Sequence, residues 1–207
     1  MKIENYFTTP VYIVEKPEWL LKTIKTTDSY INEARKLNEP NFYKKKDFGL
    51  SHHSNPIGKE PKLKNLTEYI GRMSADILNH QGYDMKLYNL FINEMWVQEF
   101  SKHGGGYHSP HTHSNGHISG FYFLKCSDKT SYPIFHDPRA GKMMSMLKQK
   151  DPEQINYSTE QVNFKIQPGT MVFFNSYLAH EFILDKGIEP FRYIHFNVQA
   201  SDKNYAI

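Results

Sequence analysis

The sequence predicts a mainly β fold of the α+β class: a double-stranded β-helix, or jelly roll, braced by N-terminal helices. Three observations predict it. Two stretches of helical periodicity occupy the first part of the chain. From Met85 onward, short runs rich in aromatic and β-branched residues recur at close intervals. Strong turn chemistry, such as Gln167-Pro168-Gly169, separates those runs. We read residues 1–207 as a single domain, with a helical support region over 1–84 and a jelly-roll core over 85–200.

In chain order, Phe7–Val14 reads as a short strand around Pro10. Pro17 suits the first turn of a helix, and Leu20, Ile24, Ile31, Ala34 and Leu37 follow at near-helical spacing, which predicts a helix over Pro17–Leu37. Asn38–Lys62 is polar, carries Pro40, Pro56 and Pro61, and reads as a loop, with His52 and His53 as exposed loop histidines. Leu63, Leu66, Ile70, Met73 and Ile77 give a second helical stripe, expected to pack on a sheet, and Gly82 stands where a C-terminal cap belongs. Leu87–Phe100 reads as one or two strands. Beyond the glycines at 104–106, strands are predicted at Ile118–Cys126, Tyr132–His136, Val162–Ile166, Thr170–Asn175, Glu181–Leu184 and Phe191–Gln199. Ala140–Glu160, polar and dotted with methionine, reads as an insertion or loop.

Composition narrows the function. A net charge of +3 gives no nucleic-acid signal, and the run Lys44–Lys46 reads as solvated surface. A single cysteine, Cys126, excludes an internal disulfide and fits a reducing cytosol; nothing marks it as an activated nucleophile. The start MKIENYFTTPVYIVEKP lacks the apolar segment of a signal peptide. No apolar run reaches the roughly 20 residues a bilayer span needs. The expectation is a soluble, cytoplasmic protein with no membrane partner; a homodimer is left open.

The stretch GGGYHSPHTHSNGHISGFYFL, Gly104–Leu124, holds His108, His111, His113 and His117. Neutral imidazole is the commonest side-chain metal ligand. In an extended strand, residues two apart project from one face, so His111 and His113 are placed to hold one cation between them. His180, ending the apolar run MVFFNSYLAH, is the distal candidate. Arg192 opens FRYIHFNVQ; a guanidinium in such a strand is costly unless it meets an anion, and its planar fork suits a carboxylate. Ile194, Phe196 and Val198 share its face, and His195 should face away. His108 and His117 read as outer-shell or surface groups, His136 and His195 as structural, and Trp96 as core.

Taken in order, Trp96, His111-Thr112-His113, Ser119-Gly120-Phe121-Tyr122-Phe123-Leu124, Asp137-Pro138-Arg139, Pro168-Gly169, Phe173-Phe174, His180, Arg192 and Phe196-Asn197 resemble the 2-oxoglutarate/Fe(II)-dependent oxygenase superfamily. The nearest resemblance is to its small bacterial and phage family with an H-x-H motif. It covers the second half of the chain, with weaker similarity around Phe7–Val11. The superfamily pattern is His-x-Asp, a distal His, then an Arg for the cosubstrate. Here His113 stands at the aspartate's place. Either His113 is the third ligand, or Asp137 supplies the carboxylate; the spacing to His111 favours His113.

The resemblance implies Fe(II), 2-oxoglutarate and O2, with ascorbate as an accessory reductant. It implies His111, His113 and His180 on the metal, and Arg192 on the far carboxylate of 2-oxoglutarate, helped by Tyr122 or Ser119. It implies hydroxylation of a small-molecule or peptide substrate with release of succinate and CO2, inside a dry shell of Phe121, Tyr122, Phe123, Phe173 and Phe174. Two other readings stand beside it: a metal-binding cupin without 2-oxoglutarate chemistry, and a non-catalytic jelly-roll binding module.

Overall fold

Among the residues that the computed structural model describes, 1–139, 147–163 and 165–205, ten strands form two antiparallel sheets and two α-helices back the larger one. The strands are β1 (Val11–Glu15), β2 (Ser51–His53), β3 (Tyr88–Phe100), β4 (His108–His111), β5 (Ile118–Lys125), β6 (Pro133–His136), β7 (Gln161–Asn163), β8 (Thr170–Asn175), β9 (His180–Phe182) and β10 (Phe191–Asp202). The six-stranded sheet runs β1-β8-β5-β10-β3-β2, and the four-stranded sheet runs β4-β9-β6-β7. The helices are α1 (Leu20–Asn38) and α2 (Lys64–His80). No helix among the described residues is long and apolar enough to cross a membrane.

The expected helices form almost as predicted. Pro17–Trp19 makes a 3-10 turn ahead of α1, since proline needs no amide partner there. Gly82, at φ +98°, lies just beyond α2. The stripe Leu66, Ile70 and Ile77 packs on the large sheet with Ile31, Met95, Val97, Ile194, Phe196 and Val198. A second apolar layer fills the space between the two sheets: Phe100, Phe121, Phe123, Phe135, Phe174, Phe182, Phe191 and Tyr193.

Strand alternation divides the two layers. On β10, Ile194, Phe196 and Val198 face the helices, whereas Phe191 and Tyr193 face the opposite sheet. On β5, Ile118, Tyr122 and Leu124 face the helices, and Phe121 and Phe123 face inward. Gly120 sits between β8 and β10, where an added Cβ would lie 2.3 Å from Phe196 Cζ and 2.4 Å from Val172 O. Only glycine admits that approach.

Several expectations are corrected. The Asn38–Lys62 loop contains β2, which pairs with β3 at Ser51↔Phe100. His52 is therefore not exposed: it is fully buried, with Nε2 2.6 Å from Asp47 Oδ2. Of the one or two strands expected over Leu87–Phe100, one forms, Tyr88–Phe100, with Leu87 in the 3-10 turn ahead of it. The predicted strand at Val162–Ile166 is only Gln161–Asn163 among the described residues. The Ala140–Glu160 insertion lies outside the described residues as far as 146; from 147 to 160 it runs in turns and bends.

Candidate metal centre

His111 and His180 are direct partners in the β4–β9 ladder. Side chains opposite one another across an antiparallel pair approach closely, and these two rings lie 4.4 Å apart between centroids. His113 reaches the same point by another route. It lies two residues past the end of β4, and its backbone N–H donates to Ser176 O at 2.9 Å. β4 ends at His111, so His113 stands just past the strand rather than within it, ahead of the turn at Ser114–Asn115. Its ring is 5.0 Å from His111 and 5.2 Å from His180. One ligand atom from each of the three lies within 4.8 Å of the others. The three histidines are positioned to bind one metal ion.

The surroundings favour neutral imidazoles, the form that ligates. His180 is fully buried. Burial first, and then the neighbouring imidazoles, push it down to about 3, against a hydrogen bond to Leu178 O that acts the other way. Burial likewise pushes His113 down to about 4. The carbonyl of Leu178 can only accept, so His180 Nδ1, 3.0 Å away, carries a proton and leaves Nε2 bare. Ser109 O does the same for His111 Nδ1 at 2.7 Å. The Nε2 atoms of His113 and His180 are buried without a hydrogen-bond partner among the described residues. Buried nitrogens left without protein partners at a point of convergence fit a cation.

Phe121, Phe135 and Phe174 wall in His180, with centroids 5.5, 6.1 and 4.7 Å away. On the other side, His113 stacks on His195 at 4.6 Å, His195 meets Trp96 at 4.3 Å, and Trp96 meets His53 at 4.7 Å. His108 lies against His111, at 4.2 Å. The centre is dry on its sheet side and ringed by imidazoles and one indole on the other.

The remaining predicted residues do not join the histidines. Arg192 shares the helix-facing side of β10 with Ile194 and Phe196. Its Nε donates to Glu99 Oε2 at 2.7 Å and its Nη1 to Asp28 Oδ1 at 2.6 Å, so its charge is already balanced. That corrects its assignment to a cosubstrate carboxylate. Tyr122 also faces the helices and donates to Lys16 O at 2.7 Å. Ser119 does face inward, but its hydroxyl donates to Asn197 Oδ1 at 2.6 Å and lies 2.8 Å from Ser176 Oγ. Asp137 accepts from Arg139 beyond the end of β6 and is not in the histidine cluster. Of the two readings of the third ligand, the geometry takes His113.

Two residues given no role from the sequence, Asn197 and Glu94, stand behind His113. Asn197 is buried, and its Nδ2 lies 3.2 Å from His113 Nδ1 and 2.6 Å from Glu94 Oε2. Parity along β10 was the available signal: Asn197 shares a face with His195, opposite Arg192.

Comparison with known proteins agrees with this geometry. Residues 94–197, half of the chain, match the family model described as "Putative 2OG-Fe(II) oxygenase". No curated protein matches the sequence. Among solved structures, AviO1 from Streptomyces viridochromogenes Tue57 aligns with a TM-score of 0.62 at 10% identity, over 96% of this chain and 92% of that one. SnoN from nogalamycin biosynthesis, a non-heme alpha ketoglutarate dependent epimerase, aligns at 0.53 and 12% identity, over 96% and 83%. A Pseudomonas putida prolyl-4-hydroxylase aligns at 0.52 and 12% identity, over 92% and 93%. At such identities these likenesses speak to the fold alone, the double-stranded β-helix.

Proposed function

The chain belongs to the 2OG-Fe(II) oxygenase family, and from that premise we propose that it hydroxylates a C–H bond of a small-molecule or peptide substrate at an iron held by His111, His113 and His180. One observation carries the proposal: three imidazoles, from β4, the stretch just past it and β9, converge within 4.8 Å. Two of their Nε2 atoms are buried with no other partner among the described residues. Iron bound there would supply the oxidising chemistry, one atom of dioxygen going to the substrate C–H and the other to 2-oxoglutarate as it becomes succinate and CO2.

The chain's own residues do the rest. The carbonyls of Ser109 and Leu178 fix two ligand rings in orientation. Phe121, Phe135 and Phe174 keep water from the inner side of the centre. The rings of His53 and Trp96 continue the aromatic stack beyond His195, so β2 of the Asn38–Lys62 segment lies on that side of the centre.

The fit to 2-oxoglutarate is incomplete. The family implies this cosubstrate, yet Arg192 is committed to Glu99 and Asp28, and Tyr122 to Lys16. The hydroxyl of Ser119 is committed to Asn197. None of these three is free to clamp its far carboxylate, so no step is assigned to them. This observation favours the second reading, a metal-dependent jelly-roll enzyme whose reaction omits 2-oxoglutarate.

Succinate formation from 2-oxoglutarate under Fe(II) and air separates the two. The first reading expects wild-type turnover and near-total loss in His180→Ala. Stoichiometric iron uptake without succinate would reject it in favour of the second.

A further inference from the structure

Two of the three histidines are held with the metal-facing nitrogen bare, and the third is not. His111 and His180 each donate Nδ1–H to a backbone carbonyl. His113 instead faces the side-chain amide of Asn197, which is 1% exposed. Glu94 sets the orientation of that amide. A carboxylate only accepts, so the Asn197 atom 2.6 Å from Glu94 Oε2 must be the NH2 group. Its second hydrogen then points to His113 Nδ1, 3.2 Å away. A neutral imidazole that accepts at Nδ1 carries its proton on Nε2, the atom that faces His111 and His180.

Resting on the reading of these histidines as a metal centre, we infer that His113 is a gated ligand and that Glu94, acting through Asn197, opposes its engagement. For His113 Nε2 to bind a divalent cation, its proton must leave that atom, and one must be taken up at Nδ1, with no net change. The Asn197 amide must then turn its oxygen toward Nδ1–H. Most of the amide's contacts survive the turn. Its NH2 group would face Ser119 Oγ and His195 Nε2, which now lie 2.6 and 3.1 Å from Oδ1. The serine can accept, and His195 can accept once its own proton sits on Nδ1. The contact that cannot survive is the amide oxygen against Glu94, two acceptors 2.6 Å apart. Glu94 is exposed near the outer part of β3 and can swing into solvent, at the expense of that bond. His111 and His180 are therefore the standing pair, and His113 is recruited. Asn197 and Glu94 are positioning residues for it.

The test uses the full chain stripped with chelator, with Co(II) as the titrant and Zn(II) as the diamagnetic probe. Long-range proton–nitrogen NMR on 15N-histidine protein reads each tautomer. His111 and His180 should be Nδ1–H and His113 Nε2–H, and Zn(II) should move the last to Nδ1–H. Glu94→Gln should tighten Co(II) about ten-fold, the scale of outer-shell effects on metal affinity. Electrostatics predicts the opposite sign, because losing a nearby carboxylate weakens attraction for a cation. Equal or weaker binding in Glu94→Gln, or His113 already Nδ1–H in stripped wild type, overturns the gate while leaving the metal centre standing. If wild type and Glu94→Gln both fail to bind Co(II), the metal reading falls and takes the gate with it.

Discussion

Arg192 and Glu99 are register partners across the β3–β10 ladder, and Arg192 Nε donates to Glu99 Oε2 at 2.7 Å on the side covered by α1. Arg35 from α1 donates to the other oxygen of Glu99 at 2.8 Å and to Asp47 at 2.9 Å. Asp28, also from α1, accepts from Arg192. The guanidinium that looked like a ligand clamp fastens a helix to the sheet.

Replacing Arg192 by Met should therefore lower stability and spare the metal. Removing one partner of a buried pair typically costs about 3–5 kcal/mol. The lower end is expected here, because Arg35 still holds Glu99. Urea unfolding checks the first part, and Co(II) titration of the folded variant checks the second. Co(II) affinity weakened ten-fold or more in a stable variant would return Arg192 to the site.

The two standing ligands should be the least replaceable. His180→Ala removes a fully buried ligand ring enclosed by Phe121, Phe135 and Phe174. Iron content after reconstitution should fall from stoichiometric to background, by elemental analysis of folded protein. His136→Ala, which removes a hydrogen-bond partner of Glu181, should leave iron content unchanged.

Acid should unfasten the α1 side of the molecule. Burial alone would raise the carboxyl of Asp47, but hydrogen bonds from His103, Ser101 and His52, with the charge of Arg35, overcome it and hold the group well below the usual carboxylate range. A depressed folded-state value means stability that is present above the unfolded value of about 4 and lost as pH falls from there toward the folded one. Urea midpoints should drop more steeply below pH 4 in wild type than in Asp47→Asn. The variant should be weaker at pH 7 by about 2–4 kcal/mol, from the lost charge-assisted bonds. Parallel pH profiles for the two proteins would show that Asp47 is not the group responsible.

Gly120→Ala should be among the most damaging small substitutions. Its Cβ would sit 2.4 Å from the Val172 carbonyl, a backbone atom with no rotamer to yield. Overpacking of this kind costs about 1–3 kcal/mol, sometimes more. A thermal midpoint within a degree of wild type would mean that β8 and β10 can part there without penalty.

Much of this architecture was legible in the residues. The helical stripes of Leu20–Leu37 and Leu63–Ile77, and the short aromatic and β-branched runs at Thr170–Asn175 and Phe191–Gln199, each lie where their elements form. Local periodicity reports local backbone, and it needs no knowledge of the partner. The histidines were legible because crowded imidazoles are rare as bare surface, although the anchoring of His113 was not: its backbone is held by a bond to Ser176, far along the chain.

What period alone established was company. Arg192, Ile194, Phe196 and Val198 lie on one side of β10, and Tyr193, His195 and Asn197 on the other, because side chains alternate along any strand. It could not say which side looks into the space between the sheets. Both sides are buried, one under α1 and α2 and one against the smaller sheet, so hydrophobicity marks neither. Only the packing of the helices against the large sheet decided that Arg192 meets Glu99 and that Asn197 meets His113.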